Sequence, residues 1–465
     1  MKFRYRNEDE MKDSGVECIG KIPSAWIINP IKYLVDKNEY YPIGDGDHGS
    51  IKPEMYQHEG IPYIRVQNLS WGNDLDFNGM VYISEKVNND NKKSILKPKD
   101  ILIAKTGATV GKTAIIPENM PQANTTSSVG KVTVDHNNIN YKYVAYYFQS
   151  ISFITQIKLT AYQKSAQPGF NIDDLIEYKV SLPKDIRIQN KIAKFLDEKT
   201  AEFDSIISKK EALIKKLEEA KKSLISEVVT GKVKVVKTSD GYELVQRKKE
   251  EMKNSGVEWL GEIPKEWKTT KLKLKTIQVN RGKSPEYVEE SKIKVINQAC
   301  IYWDCFNLKN VKYQNEINLG ERGKLYKNDI LINSTGTGTL GRANIFKEDG
   351  NFIADSHVTI IRCKDKSFAD YLKYVFRTDL YQGLIYSTMV TGSTNQIELS
   401  REGLRNMIVL DISNEELNLI NNILEDKINK INLVIDKTKS EIEKLKEAKQ
   451  SLISEAVTGK IEILE

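Results

Sequence analysis

Mostly apolar positions recur at alternating steps of four and three through Ile192, Leu196, Lys199, Phe203, Ile206, Lys210, Leu213, Leu217, Ala220 and Leu224. This spacing predicts a helix with a heptad seam over ~33 residues, or ~50 Å at 1.5 Å per residue. At an offset of 228 a second seam reads Ile420, Leu424, Lys427, Ile431, Val434, Thr438, Glu441, Leu445, Ala448 and Leu452. Both patterns stop at Thr-Gly-Lys, residues 230–232 and 458–460, where glycine supplies a left-handed cap. Each seam packs either on its own globular block or on the other seam; no single small domain covers an apolar stripe of that length, so the second is expected. Lys199 and Lys427 hold equivalent seam positions, where a polar group fixes register at a cost in stability or marks where the seam drifts outward.

Outside the helices the pattern shortens. Residues 61–66 and 131–134 read as strands bounded by Gly, Asn and Asp, and 141–157 has helical spacing; 294–296, 329–332 and 357–361 then read as strands before a helical 368–384. The likeness of the two halves extends to the letters. MKDSGVECIGKIPSAW at 11–26 returns as MKNSGVEWLGEIPKEW at 252–267, ten of sixteen identical, and AKKSLISEVVTGKV at 220 returns as AKQSLISEAVTGKI at 448, eleven of fourteen. The opening boxes are offset by 241, the DILI of 100–103 and 329–332 by 229 and the helical boxes by 228, which places about a dozen extra residues between Trp26 and Asp100. We therefore expect an α+β chain of two tandem homologous domains separated by two long helices that form an antiparallel coiled coil with pseudo-twofold symmetry. Its parts are a first domain at 1–186, a helical spacer at 187–232, a linker at 233–251, a second domain at 252–412 and a C-terminal helical spacer at 413–465. Near-twofold geometry with two half-sites is that of duplex DNA.

Composition narrows the chemistry. The 465 residues carry 70 Lys and Arg against 64 Asp and Glu, a net charge of +6 that permits a polyanionic partner without requiring one. Cys18, Cys300, Cys305 and Cys363 have no metal-ligand spacing and read as reduced thiols, and the four histidines are scattered, so no metal site is expected. The N-terminus is charged where a signal peptide would be apolar, and no apolar run reaches ~18 residues, which suggests a cytoplasmic protein with no membrane partner. TGATVGKT at 106–113 resembles a phosphate-binding loop, but only three residues separate Gly107 from Gly111 where that loop needs four, and its counterpart from Thr335 has Arg342 in place of the lysine. A glycine-rich turn ending in Lys112 or Arg342 is better suited to following a nucleic-acid backbone. Neither H-E-x-x-H, G-x-S-x-G, a dinucleotide fingerprint nor an amino-methyltransferase tetrapeptide occurs, so no catalytic residue is expected.

The SGVEWLGEIPKEW form of the opening box, two variable blocks and two helices ending in SLISEVVTGK resemble the specificity subunit of type I restriction-modification systems, over essentially the whole chain. The resemblance implies that each variable block is a target recognition domain for one half of a bipartite double-stranded DNA site, with the helices as a ruler between them. It also implies docking of two methyltransferase subunits and of motor-nuclease restriction subunits, with S-adenosylmethionine, ATP and Mg on those partners and no cofactor here. Cys18, where the second half has Trp259, departs from the box. The resemblance places DNA contacts in three loop groups. The first is His48 and Lys52, with Arg281, Lys283 and Ser284; the second is Lys105, Thr106 and Lys112, with Thr335 and Arg342. The third is Lys164, Ser165 and Gln167, with Ser393, Thr394, Asn395 and Gln396, since Asn and Gln are bidentate readers of adenine. A solvated turn is the alternative for any one of these; Arg65, Gln67 and Asn68 are either DNA-facing or internal to the fold. The rival functions are a stand-alone pseudo-dimeric DNA-binding protein or a coiled-coil scaffold.

Overall fold

The computed structural model describes residues 2–164, 168–239, 241–316, 321–393 and 396–464. The chain divides into two compact units, Met1–Lys210 with Lys439–Glu465, and Glu211–Thr438. Each unit contains an α+β domain and a segment of both long helices, α1 at Ile186–Val229 and α2 at Asn414–Val457.

In the first unit Ile101–Ala104 is the apolar run ILIA, buried at every position, and it pairs with Thr113–Ile115 on one side and Val129–Val132 on the other. Ile43–Asp45 completes that sheet, and Val81–Ile83, Ile61–Ile64, Ala123–Thr125 and Ile95–Leu96 form a second one. The second unit repeats both sheets: Ile330–Asn333 lies between Ala343–Ile345 and Val358–Cys363, flanked by Thr276–Arg281, while Tyr287–Val288, Lys312–Gln314, Ile293–Ile296 and Asn351–Ala354 form the other. An apolar run without alternation is what a strand covered on both faces requires. The helical pattern at 141–157 is realised as two helices, Tyr141–Gln149 and Ile151–Lys164, because Ser150 turns to extended backbone (φ −65°, ψ 151°) and its hydroxyl caps Phe153 N at 3.2 Å.

The long helices pair antiparallel. Within the first unit Asp204 meets Lys449 and Lys210 meets Glu441, both at 2.7 Å, so numbers rise on one helix as they fall on the other. Within the second, Lys221 Nζ donates to Asn432 Oδ1 at 3.0 Å, the equivalent of the Asp204–Lys449 pair at the 228 offset. The seam differs from the expected one at every second position. Ile207, Ile214, Lys221, Ile428, Ile435, Ile442 and Lys449 face inward, whereas Ile206, Leu213, Ala220, Lys427, Val434 and Ala448 are exposed, Ile206 and Leu213 by 43% each. Isoleucine and leucine neighbours such as Ile206–Ile207 and Leu213–Ile214 satisfy either phase, and the polar Thr200 and Lys221 in the true seam disguised it.

Each long helix ends in a socket made by the opening box of a repeat. A Cβ at Gly231 would lie 2.4 Å from Pro264 Cγ and 2.8 Å from Trp267; at Gly459 it would lie 2.4 Å from Pro23 Cγ and 3.0 Å from Trp26. Both glycines have φ near +73°, so they satisfy the cap geometry and the close approach together. Beyond the first socket, Val233–Thr238 turns back on Gly241–Gln246 as a hairpin. Beyond the second, Ile461–Ile463 pairs with Phe3–Tyr5, the two ends of the chain, and Leu464 N donates to Lys2 O at 2.8 Å. The register is that of the hairpin: Val235 faces Leu244 and Val233 faces Gln246, as Ile463 faces Phe3 and Ile461 faces Tyr5.

The corrected seam is testable with neighbouring residues. Ile207→Ala should lower the stability of its unit by about 2–4 kcal/mol, the cost of truncating a packed aliphatic, while Ile206→Ala should cost under about 1 kcal/mol. Thermal and denaturant unfolding of the two variants would show the larger loss in Ile206→Ala if the heptad phase first read from the pattern were right.

Candidate nucleic-acid interface

Described backbone at or next to the three loop groups is brought together by hydrogen bonds that are equivalent in both units. The sheet-edge strands Ile43–Asp45 and Thr276–Arg281 lead into Gly46 and Gly282, where a Cβ would come within 2.0 Å of the Thr126 backbone and 2.1 Å of the Ala354 backbone. Only glycine lets the chain cross the neighbouring segment there, and the first loop follows. The second loop leaves the central strand and returns at once: Ala104 N donates to Lys112 O (2.8 Å) and Gly111 N to Ala104 O (3.0 Å), as Asn333 N does to Arg342 O (2.8 Å) and Gly341 N to Asn333 O (2.9 Å). Onto it the third segment is zipped, by Phe170 N to Lys105 O (3.1 Å) in one unit and Leu399 N to Ser334 O (2.8 Å) in the other. In each unit, therefore, all three segments meet at one end of a four-stranded sheet.

The side chains at that end differ in chemistry. In the first unit His48 is exposed, in a left-handed conformation (φ +52°), with Nε2 2.8 Å from Asp45 Oδ1; Lys52 and Thr106 are exposed and Lys112 is half-buried. Lys105 is not the solvent-facing donor expected of it. Its side chain is 8% exposed and ion-paired to Asp45, because residue 105 continues a strand whose alternate face is core. Lys164 ends its helix, and Ser165 and Gln167 lie outside the described residues. In the second unit Arg281 pairs with Glu398 and donates to Leu399 O at 3.1 Å. Lys283 N donates to Ala354 O at 3.0 Å, Ser284 is exposed, and the Arg342 guanidinium lies 5.5 Å from the Tyr302 ring centroid. Ser393 and Gln396 close the pairing of Val390–Ser393 with Gln396–Leu399, and Thr394 and Asn395 lie outside the described residues. Arg65 and Asn68 serve the fold: Arg65 donates to Gly79 O at 2.6 Å, and buried Asn68 donates to Asp76 O at 2.8 Å.

Sequence reasoning missed Asp45, Gln298, Tyr302, His357 and Glu398. Thr335 Oγ1 is 2.9 Å from His357 Nδ1 and donates to Gln298 Oε1 at 3.1 Å, which joins three segments 22 and 37 residues apart. No local motif announces such a cluster; its signal is the pairing of strands. Beneath it Asp355 accepts from His357 N at 2.8 Å, and burial pushes its carboxyl above the usual carboxylate range. Among the described residues no group of three His, Cys, Asp or Glu is placed to hold a metal ion, and no helix is long and apolar enough to cross a membrane.

Residues 47–218 match the family model described as the type I restriction modification DNA specificity domain. Over 220 residues the chain is 23% identical to the type I restriction enzyme MjaVIII specificity subunit of Methanocaldococcus jannaschii, a match spanning 47% of this chain and 48% of that relative, about half of its length. In fold it is similar to a chain from a solved structure concerned with complex assembly and conformational transition of the type I R-M system, with a TM-score of 0.69 at 13% identity over 94% of this chain and 99% of that one. It is also similar to the HsdS subunit from Thermoanaerobacter tengcongensis, with a TM-score of 0.50 at 12% identity over 94% and 98% of the two chains.

The Asp45–Lys105 pair should be a structural element of the interface. Asp45→Asn leaves an uncompensated buried ammonium and should destabilise the first unit by about 3–5 kcal/mol, while adding Lys105→Met should restore most of the loss. Denaturant melts of the two variants decide it: an Asp45→Asn protein as stable as the parent would mean that Lys105 is solvated.

Proposed function

We propose that the chain, whose residues 47–218 match the type I restriction modification DNA specificity domain, is the DNA-recognition subunit of such a system, without catalytic residues of its own. Each unit reads one half of a bipartite double-stranded DNA site with the loop cluster at the end of its sheet. The helices set the spacer and dock two methyltransferase subunits, and motor-nuclease restriction subunits complete the assembly. S-adenosylmethionine, ATP and Mg bind to those partners. The complex works in the cytoplasm.

The observation that carries this reading is the duplicated loop cluster. The same backbone hydrogen bonds build it twice, on strands of the same register, while its polar groups change from exposed His48 over the buried Asp45–Lys105 pair to Arg281, Glu398 and His357. A scaffold conserved in backbone and varied in hydrogen-bonding groups is what two readers of different base sequences need.

Exchanging residues 40–182 for the corresponding block of another specificity subunit should change one half of the methylated site and leave the other half unaltered. Sequencing of modified adenines in host DNA before and after the exchange reads this directly, and a change in both halves would argue against independent readers. A second test addresses the helices. One heptad inserted after Leu213 and one after Glu441 preserve the seam to within ~20° and add ~10 Å to the pair, about three base pairs at 3.4 Å each. Both half-sites should persist with a spacer longer by that amount; an unchanged spacer would remove the helices from the role of ruler.

A further inference from the structure

The second unit holds a hydrogen-bonded trio that has no counterpart among the described residues of the first. Equivalent backbone bonds identify the matching positions. Ser334 N donates to His357 O as Lys105 N does to Ser128 O, and Ile301 N donates to Gln298 O as Leu69 N does to Val66 O. Where the second unit has Gln298 and His357, the first therefore has Val66 and Ser128, around the shared Thr106 and Thr335. Resting on the reading of each unit as a half-site reader, we propose that Gln298 and His357, coupled through Thr335, form a pair that recognises adenine in the major groove.

Proton bookkeeping leads there. The Thr335 hydroxyl has one proton, and Gln298 Oε1, 3.1 Å away, can only accept it. The 2.9 Å contact to His357 Nδ1 is then made by an Nδ1–H donating to Thr335 Oγ1. A neutral imidazole protonated at Nδ1 has a bare Nε2, an acceptor, while the Gln298 amide nitrogen is a donor. Turning the Gln298 amide over reverses both roles at once: its Nε2 donates to Thr335, the hydroxyl donates to Nδ1, His357 Nε2 carries the hydrogen and Gln298 Oε1 accepts. Either arrangement presents one donor and one acceptor. Guanine offers two acceptors on its major-groove edge, cytosine a donor and thymine an acceptor beside its methyl group; adenine alone offers an acceptor, N7, next to a donor, N6.

The surroundings are those of a preorganised site. Asp355 Oδ1 accepts from His357 N at 2.8 Å, and fully buried Asn333 donates through Nδ2 to Gln298 O at 3.1 Å, so the backbone behind both readers is tied to the sheet. Gln298 and Thr335 are half-buried and His357 is exposed. Among the described residues neither Gln298 Nε2 nor His357 Nε2 has a hydrogen-bond partner. Arg342, held over Tyr302, supplies a cation on the same loop as Thr335 for phosphate.

The test uses the full chain with its methyltransferase subunits in a host free of other adenine methylation, read by sequencing modified sites. In Gln298→Leu and in His357→Asn, one half-site should lose its preference for adenine at one position by about ten- to hundredfold, with the remaining positions and the other half unchanged. His357→Asn is informative because the asparagine amide nitrogen replaces Nδ1 as the donor to Thr335 while nothing replaces Nε2. An unaltered motif in both variants, relaxation at a guanine, or methylation abolished in His357→Asn would each overturn the assignment. A parent complex that methylates no bipartite motif would instead bring down the half-site reading itself, and the assignment with it.

Discussion

The C-terminal end of each long helix must be closed, and the way it is closed orders much of the rest. The last carbonyls of a helix have no partner within it, and burying them unpaired costs a hydrogen bond's worth of desolvation each. Here Val457 O accepts from Tyr143 Oη at 2.9 Å and Ser181 Oγ at 2.7 Å, and Val229 O accepts from Tyr371 Oη at 2.7 Å. Both tyrosines are fully buried, and that burial keeps their hydroxyls protonated, as donation requires. Trp26 and Trp267 pack against the caps at Gly459 and Gly231, in contacts that a single added Cβ would break. The strongest sequence identity between the halves lies where it does because the box and the helix end are the two sides of one socket.

With that socket in place, the end of each sheet is free to vary. Glycines at the crossing points and bonds from strand to strand hold the loops, so the backbone there is kept while the charges it carries change in matched pairs. Asp45–Lys105 in one unit and Arg281–Glu398 in the other are ion pairs with the cation on opposite partners at neighbouring positions. The exchange moves a cation from below the loop to beside it and changes which groups remain available to a ligand. Breaking the more buried pair is expensive, whereas Glu398, half exposed, is screened by solvent. Variation at these positions is therefore constrained in pairs.

Several features were legible from residue order alone because they are local. The duplication, the helix ends at Thr-Gly-Lys, the apolar runs of the central strands and the lack of catalytic motifs each need only neighbours along the chain. The α+β class followed from the short strand-like runs and helical stretches of each block, and the pairing of the long helices from two seams longer than any one domain. Three further matters belonged to tertiary structure. Heptad phase was ambiguous wherever two aliphatics adjoin, as at Ile206–Ile207, and contact with the partner helix chose between them. The fate of Lys105 depended on Asp45, sixty residues away, which turned an apparent surface donor into half of a buried ion pair. Gln298, Thr335 and His357 acquire a shared chemistry only because segments from two different sheets meet: a hydrogen-bond network is a property of distances, and the chain order leaves those distances open until it folds.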